Sequence, residues 1–232
     1  MTSEGSFEPV LPDDLRGRCP PELVARLVRY LELLLSKNAE MNLTALRDPA
    51  EAWARHVVES LQLLPAIGAP ERALDVGSGG GIPGMVVAAA LPQVRVTLLE
   101  ATAKKARFLE QTAAALELSN VDVVCQRAEM AAAAGSALRE RYDVVTARAV
   151  APLRVLLELT VPFAAVGGRI VAVKGERAAE EISGARRALE VLHARVESTL
   201  RTPTATVLVL TKQGPTPARY PRRPGEPKRR PL

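Results

Sequence analysis

Histidine and cysteine are scarce, and the chemistry that depends on them is scarce with them. The chain has two of each in 232 residues. Cys19 and Cys125 lie far apart and near no histidine cluster, so neither a disulfide framework nor a zinc site is indicated. Cys125 closes a strand-like run and is expected to be a small buried hydrophobe. No Ser-His-Asp or Cys-His arrangement is evident, which argues against nucleophilic catalysis of that kind. Long apolar runs are missing too. No stretch approaches the ~18–20 uninterrupted apolar residues that a membrane helix needs. The segment from Met1 to Asp14 carries Glu4, Glu8, Asp13 and Asp14 instead of a basic start and an apolar run, so no secretory signal is expected. A cytoplasmic location is the resulting expectation. There are no internal repeats.

What is present is ordinary globular material. Apolar residues make up 47% and charged residues 25%, enough for one sizeable core plus an appendage. The net charge of +5 is unevenly placed. Between Lys212 and Leu232 seven Lys or Arg face a single acid, Glu226, which gives +6 and leaves −1 for residues 1–211. The basic character belongs to the tail.

Pro20-Pro21 opens a helical pattern in which Leu23, Leu27, Leu31 and Leu34 recur at helical spacing, fading near Asn42. Asp48 suits an N-cap, Pro49 the first helical position and Glu51 the reciprocal cap of a second helix, which runs through Trp53, Val57 and Leu61 to Pro65. From Arg72 the pattern changes. Strand-length apolar runs cover Ala73–Val76, Val94–Glu100, Val121–Gln126, Tyr142–Ala147, Arg169–Lys174, Arg195–Leu200 and Thr206–Lys212. Helical patterns separate the first six, which predicts an α/β fold with a mostly parallel seven-stranded sheet and helices on both faces. Only Arg201–Ala205 separates the last two, so they are expected to pair as an antiparallel hairpin at the sheet edge. The organisation is thus an N-terminal helical region (1–70), an α/β domain (71–212) and a basic tail (213–232). With six prolines between Pro215 and Pro231, the tail is expected to be extended and mobile unless bound.

Asp75-Val76-Gly77-Ser78-Gly79-Gly80-Gly81-Ile82-Pro83-Gly84 follows the first strand and opens a helix. Glycines let backbone turn sharply and approach a ligand closely, and the helix N-terminus adds a favourable dipole. Glu100 ends the second strand, where an acid can accept hydrogen bonds from ribose hydroxyls. Gly77-x-Gly79-x-Gly81 after Asp75 suits S-adenosylmethionine, whereas Gly79-x-Gly81-x-x-Gly84 also satisfies a dinucleotide fingerprint. A tight, packed turn is the plain structural reading.

Further blocks carry a family resemblance. Asn42-Leu43-Thr44-Ala45-Leu46-Arg47-Asp48-Pro49, Arg55-His56-Val57-Val58-Glu59-Ser60, the Asp75–Gly84 loop, Lys104-Lys105-Ala106-Arg107-Phe108-Leu109, Ala147-Arg148-Ala149, Val173-Lys174-Gly175 and Arg219-Tyr220-Pro221-Arg222-Arg223-Pro224-Gly225 resemble motifs of the RsmG (GidB) family. That family consists of bacterial methyltransferases acting on N7 of a guanine in 16S ribosomal RNA. The departures are mild: Glu100 stands where Asp is frequent, and Ala101 and Ala103 precede the lysines. The resemblance implies a Rossmann-like class I methyltransferase with an N-terminal helical extension, S-adenosylmethionine as donor, no metal, and 16S RNA or the small subunit as partner. A monomer is expected. By the same resemblance Gly77 and Ile82 sit against the donor, Ala128 and Glu129 flank its adenine and Arg148 closes the site; Ser78, Gly79 and Glu100 are assigned to the donor from the loop and the strand end.

Guanine N7 presents an unprotonated lone pair, so transfer needs alignment more than a strong base. A cation directly on N7 would block attack; basic residues are expected on O6 or phosphates. Arg148 and Lys174 are assigned that catalytic role. Asn42, Arg55, His56, Lys104, Arg127, Lys174, Arg222 and Arg223 are assigned to RNA, with Tyr220 free to stack on a base. Each has a plain counterpart: His56 as a hydrogen-bonded helix histidine, Lys104 as part of a solvated face, Lys174 as a strand-end charge, Glu129 as a helix cap, Arg148 as partner of a core carboxylate. His193 is expected on a surface helix. An NAD-dependent oxidoreductase and a non-catalytic ribosome assembly factor are the alternatives.

Overall fold

The computed structural model describes residues 7–232. Residues 1–6, part of the segment argued not to be a signal, lie outside the described residues. After a short turn of helix, α1 (Asp13–Arg16), comes the long α2 (Pro21–Met41), with Pro at its first position and Asn42 closing it in the left-handed conformation at φ 50°. Its apolar stripe, Leu23, Leu27, Tyr30, Leu31 and Leu34, is buried. The Asp48 side chain accepts a hydrogen bond from the Glu51 amide at 2.8 Å, so the expected cap forms. The helix it opens is not uniform. α3 (Pro49–Ala52) widens into a π-helical stretch, Trp53–Val58, before α4 (Glu59–Leu61). Such widening is frequent at functional sites. α5 (Leu64–Ile67) ends the extension.

Seven strands then form one sheet: β1 (Arg72–Val76), β2 (Arg95–Glu100), β3 (Val121–Cys125), β4 (Tyr142–Arg148), β5 (Ala164–Lys174), β6 (Ala194–Arg201) and β7 (Thr206–Lys212). Their order is β3-β2-β1-β4-β5-β7-β6. The first five are parallel; β7 pairs antiparallel with both β5 and β6, so the hairpin folds back and its second strand lies inside. β5 starts earlier than its apolar run suggested, because Gly167 and Gly168 break the pattern without breaking the strand.

Side chains alternate across the sheet and feed two cores. Ala73, Val144, Val171, Val207 and Val209 face one side, against α2, the π-helical stretch, α6 (Gly84–Ala90) and α7 (Ala103–Ala115). Leu74, Val76, Val145, Ile170, Leu208 and Leu210 face the other, against α9 (Leu153–Thr160), α10 (Ala178–Gly184) and α11 (Arg186–Val191). The helical extension therefore shares a core with the sheet instead of standing apart. α8 (Ala128–Ala131) is one turn after β3.

Three expectations need correction. The tail is not free: it packs on the second core, buries Tyr220 and ends in a turn of helix, α12 (Glu226–Arg229). Composition shows prolines and charge but not the partners that the folded chain supplies. Cys125 is exposed, because β3 is an edge strand. His193 sits in a turn at φ 55° just before β6, with Nδ1 at 3.0 Å from the Pro215 carbonyl.

Candidate functional site

The glycine loop follows the carboxyl end of β1 and reaches that of β2, beside the β1–β4 boundary where the sheet order reverses. The Gly77 and Ser78 amides donate to the Leu99 carbonyl at 2.8 and 3.1 Å. Gly77 has φ 71°, and a Cβ there would stand 3.0 Å from Val150. At Gly84 a Cβ would run into Leu98 and Asp75, so that glycine is required by packing. The Glu100 carboxylate accepts from the Gly79 amide at 3.0 Å and the Thr102 amide at 2.7 Å. It braces the loop, and each oxygen keeps a lone pair for a hydroxyl. The Ser78 hydroxyl is engaged with the Asp75 carbonyl at 3.0 Å. Asp75 is buried and accepts from Thr146 at 2.8 Å and the Gly84 amide at 3.3 Å. Burial pushes its carboxyl up to about 6, against these hydrogen bonds. Ile82 packs against the first core, and Tyr30, buried in α2, donates to the Gly80 carbonyl at 2.8 Å.

Beside the loop lies a cavity of about 130 Å³ whose walls include Val76, Gly77, Leu99, Ala128, Glu129 and Val150. These mostly apolar walls gain polar groups from Gln126, Arg127 and the buried carboxylate of Glu129. Its Oε1 accepts from Arg127 at 2.7 Å and from the Gly225 amide at 2.8 Å. Burial pushes this acid up, but Arg127 and the amides outweigh burial and hold it below its ordinary value. A narrow, mostly apolar slot with a fixed buried carboxylate fits a heterocyclic base bearing an amino group, and the adenine end of S-adenosylmethionine has that chemistry.

At the ends of β4 and β5, the structure engages both residues assigned to catalysis. Arg148, at the end of β4, pairs with Glu59 at 2.9 Å and donates to the Arg55 carbonyl at 2.6 Å. Glu59 in turn accepts from Thr204, in the β6–β7 turn. Lys174, at the end of β5, pairs with Glu181 at 2.7 Å and donates to the Ala151 carbonyl at 2.8 Å. Both cations are largely buried and committed to carboxylates, Arg148 to the buried Glu59.

His56 is buried in the π-helical stretch, with Nε2 at 2.6 Å from the Thr44 hydroxyl. Burial, then the nearby Arg148, pushes its pKa down to about 4, so it is neutral and presents no charge to RNA. Its Nδ1 is buried without a hydrogen-bond partner among the described residues. Arg55 borders a polar cleft with Arg201 and Thr204. Asn42 caps α2 at another cleft, beside Asn38 and Arg47. Lys104, Arg127 and Arg223 are exposed. Arg222 is a correction: it grips the fully buried Glu158 and is withdrawn from the RNA face. Tyr220, buried, cannot stack on a base. Glu59, Glu158 and Thr204 were not singled out from sequence; only Glu59 lay inside a recognised motif. Among the described residues no group of three or more His, Cys, Asp or Glu is placed to hold a metal.

Comparison with known proteins agrees with this geometry. Residues 23–207 match the GidB family, described as rRNA small subunit methyltransferase G. A relative named ribosomal RNA small subunit methyltransferase G, from Sorangium cellulosum, is 46% identical over 87% of this chain and 84% of its own. One of that name from Chloroflexus aggregans is 44% identical over 90% of both. Among solved structures, a putative O-methyltransferase from Klebsiella pneumoniae superposes with a TM-score of 0.56 at 18% identity, over 80% of this chain and 90% of that one. A mutant of MtNAS solved in complex with S-adenosylmethionine gives 0.56 at 16%, over 88% and 80%. These two likenesses are of fold: the Rossmann-like class I methyltransferase architecture.

Proposed function

The chain belongs to the GidB family, rRNA small subunit methyltransferase G, and from that premise we infer that it transfers a methyl group from S-adenosylmethionine to N7 of one guanine in 16S ribosomal RNA. Membership sets aside the oxidoreductase reading of the loop glycines. The observation that carries the assignment is the loop from Asp75 to Gly84, folded over the ends of β1 and β2 with Glu129 on the opposite wall. We assign Gly77, Gly79, Glu100, Ala128 and Glu129 to the donor, with Ser78 and Ile82 supporting the loop.

When bound, the donor supplies an electrophilic methyl on a sulfonium. The protein's part is to align and enclose. Gly77 admits close approach, Glu100 offers acceptors and Glu129 fixes the slot. Arg148 closes the site from β4 while tethered to the helical extension, which sets the distance between donor crevice and RNA face. Guanine N7 needs no base, so neutral His56 serves as structure. Lys174 reaches the RNA by exchanging Glu181 for O6 or phosphate. Asn42, Arg55, Lys104, Arg127 and Arg223 form the RNA rim. We place the reaction in the cytoplasm and read the acting species as a monomer, with residues 7–70 and 71–212 as one working body.

Labelled methyl transfer to small subunits from cells lacking the protein, followed by mapping of the modified base, tests the reading. Label on a single guanine N7 is expected. Intact donor binding with no label on subunits or on naked RNA would favour the non-catalytic assembly factor instead.

A further inference from the structure

The tail is held by side chains distant in sequence. Lys212, fully buried, donates to Glu140 at 2.6 Å and to the Ala164 carbonyl at 2.9 Å. Glu140 also accepts from the Thr216 amide at 2.7 Å. Arg139 donates to the Thr216 and Tyr220 carbonyls, both at 2.7 Å. Arg222 then meets Glu158 of α9 through its own amide at 2.7 Å, Nε at 2.9 Å and Nη2 at 2.5 Å. Three residues on, Gly225 at φ 81° turns its amide onto Oε1 of Glu129.

This arrangement has a direction. A buried ion pair is a poor way to gain stability, since apolar residues of the same volume usually do as well or better. What a forked, three-bond pair supplies is register. It fixes the chain so that the following turn meets Glu129 and no other group. Both bonds to Glu129 fall on Oε1, so Oε2 keeps its lone pairs for a ligand. One oxygen is locked and the other is left to accept.

We propose that residues 214–230 are a clasp for the donor site, in which the Arg222–Glu158 pair registers the tail so that the Gly225 amide holds Glu129 in its donor-accepting pose. Arg222 and Glu158 are then positioning residues for S-adenosylmethionine, not RNA contacts. The inference rests on the reading of the slot as the donor site.

Titration of the full-length protein with S-adenosylmethionine, followed by calorimetry, tests it. Arg222→Met is expected to weaken donor affinity about tenfold, while the transfer rate at saturating donor stays within about twofold. Glu129→Ala is expected to weaken donor binding too, and adding Arg222→Met to it is expected to change nothing further, because the clasp acts through Glu129. Should Arg222→Met fail to fold, Arg222→Lys, which keeps the charge and loses the fork, is expected to weaken donor binding in the same way. Unchanged donor affinity in the folded single variant, or effects that simply add in the double variant, would overturn the clasp alone. A wild-type protein that binds no donor overturns the slot reading, and the clasp with it.

Discussion

The guanidinium of Arg148 lies 2.9 Å from the carboxylate of Glu59, and Glu59 is only 2% exposed. This pair ties the end of β4 to the helical extension. Burial lowers the pKa of Arg148, with Glu59 opposing the shift, and a guanidinium stays charged even so. Removing either partner strands the other. Glu59→Ala and Arg148→Ala are each expected to cost about 3–5 kcal/mol in urea unfolding. In whatever fraction of Arg148→Ala is folded, transfer at saturating donor is expected to fall about a hundredfold, since a small misplacement of the reacting groups suffices for that. Full activity in both Arg148→Ala and Lys174→Ala would sink their assignment to the reaction.

His56 makes a pH-dependent prediction with a definite sign. Its pKa falls from 6.5 unfolded to about 4 folded. The unfolded chain therefore takes up the proton first as pH drops. The stability this neutral histidine contributes is present above pH 6.5 and is lost as pH falls toward about 4. Asp75, raised from 3.8 to about 6, acts in the opposite sense: its contribution is present below 3.8 and is lost as pH rises through about 6. Asp75 is common to wild type and variant, so it cancels in a comparison. Between pH 7 and 5, His56→Gln is expected to lose about 2 kcal/mol less stability than wild type. Parallel unfolding curves across that range would mean that the histidine is already solvated.

The glycines of the loop separate by function. At Gly79 the nearest atom to an added Cβ is the Gly77 carbonyl at 3.8 Å, so only the left-handed backbone at φ 55° resists alanine. That costs about 1–2 kcal/mol. At Gly84 alanine meets Leu98 and the Asp75 side chain in a packed core, and the displaced Asp75 is the group that accepts from the Gly84 amide. Overpacking of this kind typically costs about 1–3 kcal/mol, and here it also shifts the loop. Gly84→Ala is expected to lower donor affinity more than Gly79→Ala does at equal loss of stability. The opposite order, measured by titration and urea midpoints, would make Gly79 the packing glycine.

Local pattern explains what could be seen in the sequence. The inner strands showed as apolar runs because buried strands need β-branched and aliphatic residues on both faces, as Ile170, Val171, Ala172 and Val173 do, whereas the edge strands β3 and β6 are largely uncovered. The Asp48 cap and the end of α2 at Asn42 showed because caps are local. What stayed hidden depends on partners far along the chain. Nothing near Arg222 announces Glu158, and nothing near Arg148 announces Glu59, so cations that looked available for RNA are committed inside the protein. The widening of the helix at Trp53–Val58 was invisible for a related reason: its apolar spacing still suits an ordinary helix.

The same sorting sharpens what the tail does for RNA. Of its seven cations, Lys212 is buried against Glu140 and Arg222 against Glu158, Arg219 is exposed but lies over the Tyr220 ring, and Arg223, Lys228, Arg229 and Arg230 are exposed. Deleting the whole segment would orphan Glu158 and expose the second core, so weak RNA binding by such a truncation would say little. Changing only Arg223, Lys228, Arg229 and Arg230 to Gln leaves every named tail interaction in place. Fewer counterions are released on binding when fewer phosphates are neutralised, and the slope of log K against log salt flattens by about 0.7–0.9 for each phosphate the tail no longer neutralises. The quadruple variant is therefore expected to bind 16S RNA more weakly at low salt, with a shallower slope, and to keep wild-type melting and donor affinity. A slope equal to wild type would remove the tail from the RNA interface and leave it the donor clasp alone. A slope change accompanied by loss of donor affinity would show that RNA and donor are coupled through Gly225 and Glu129.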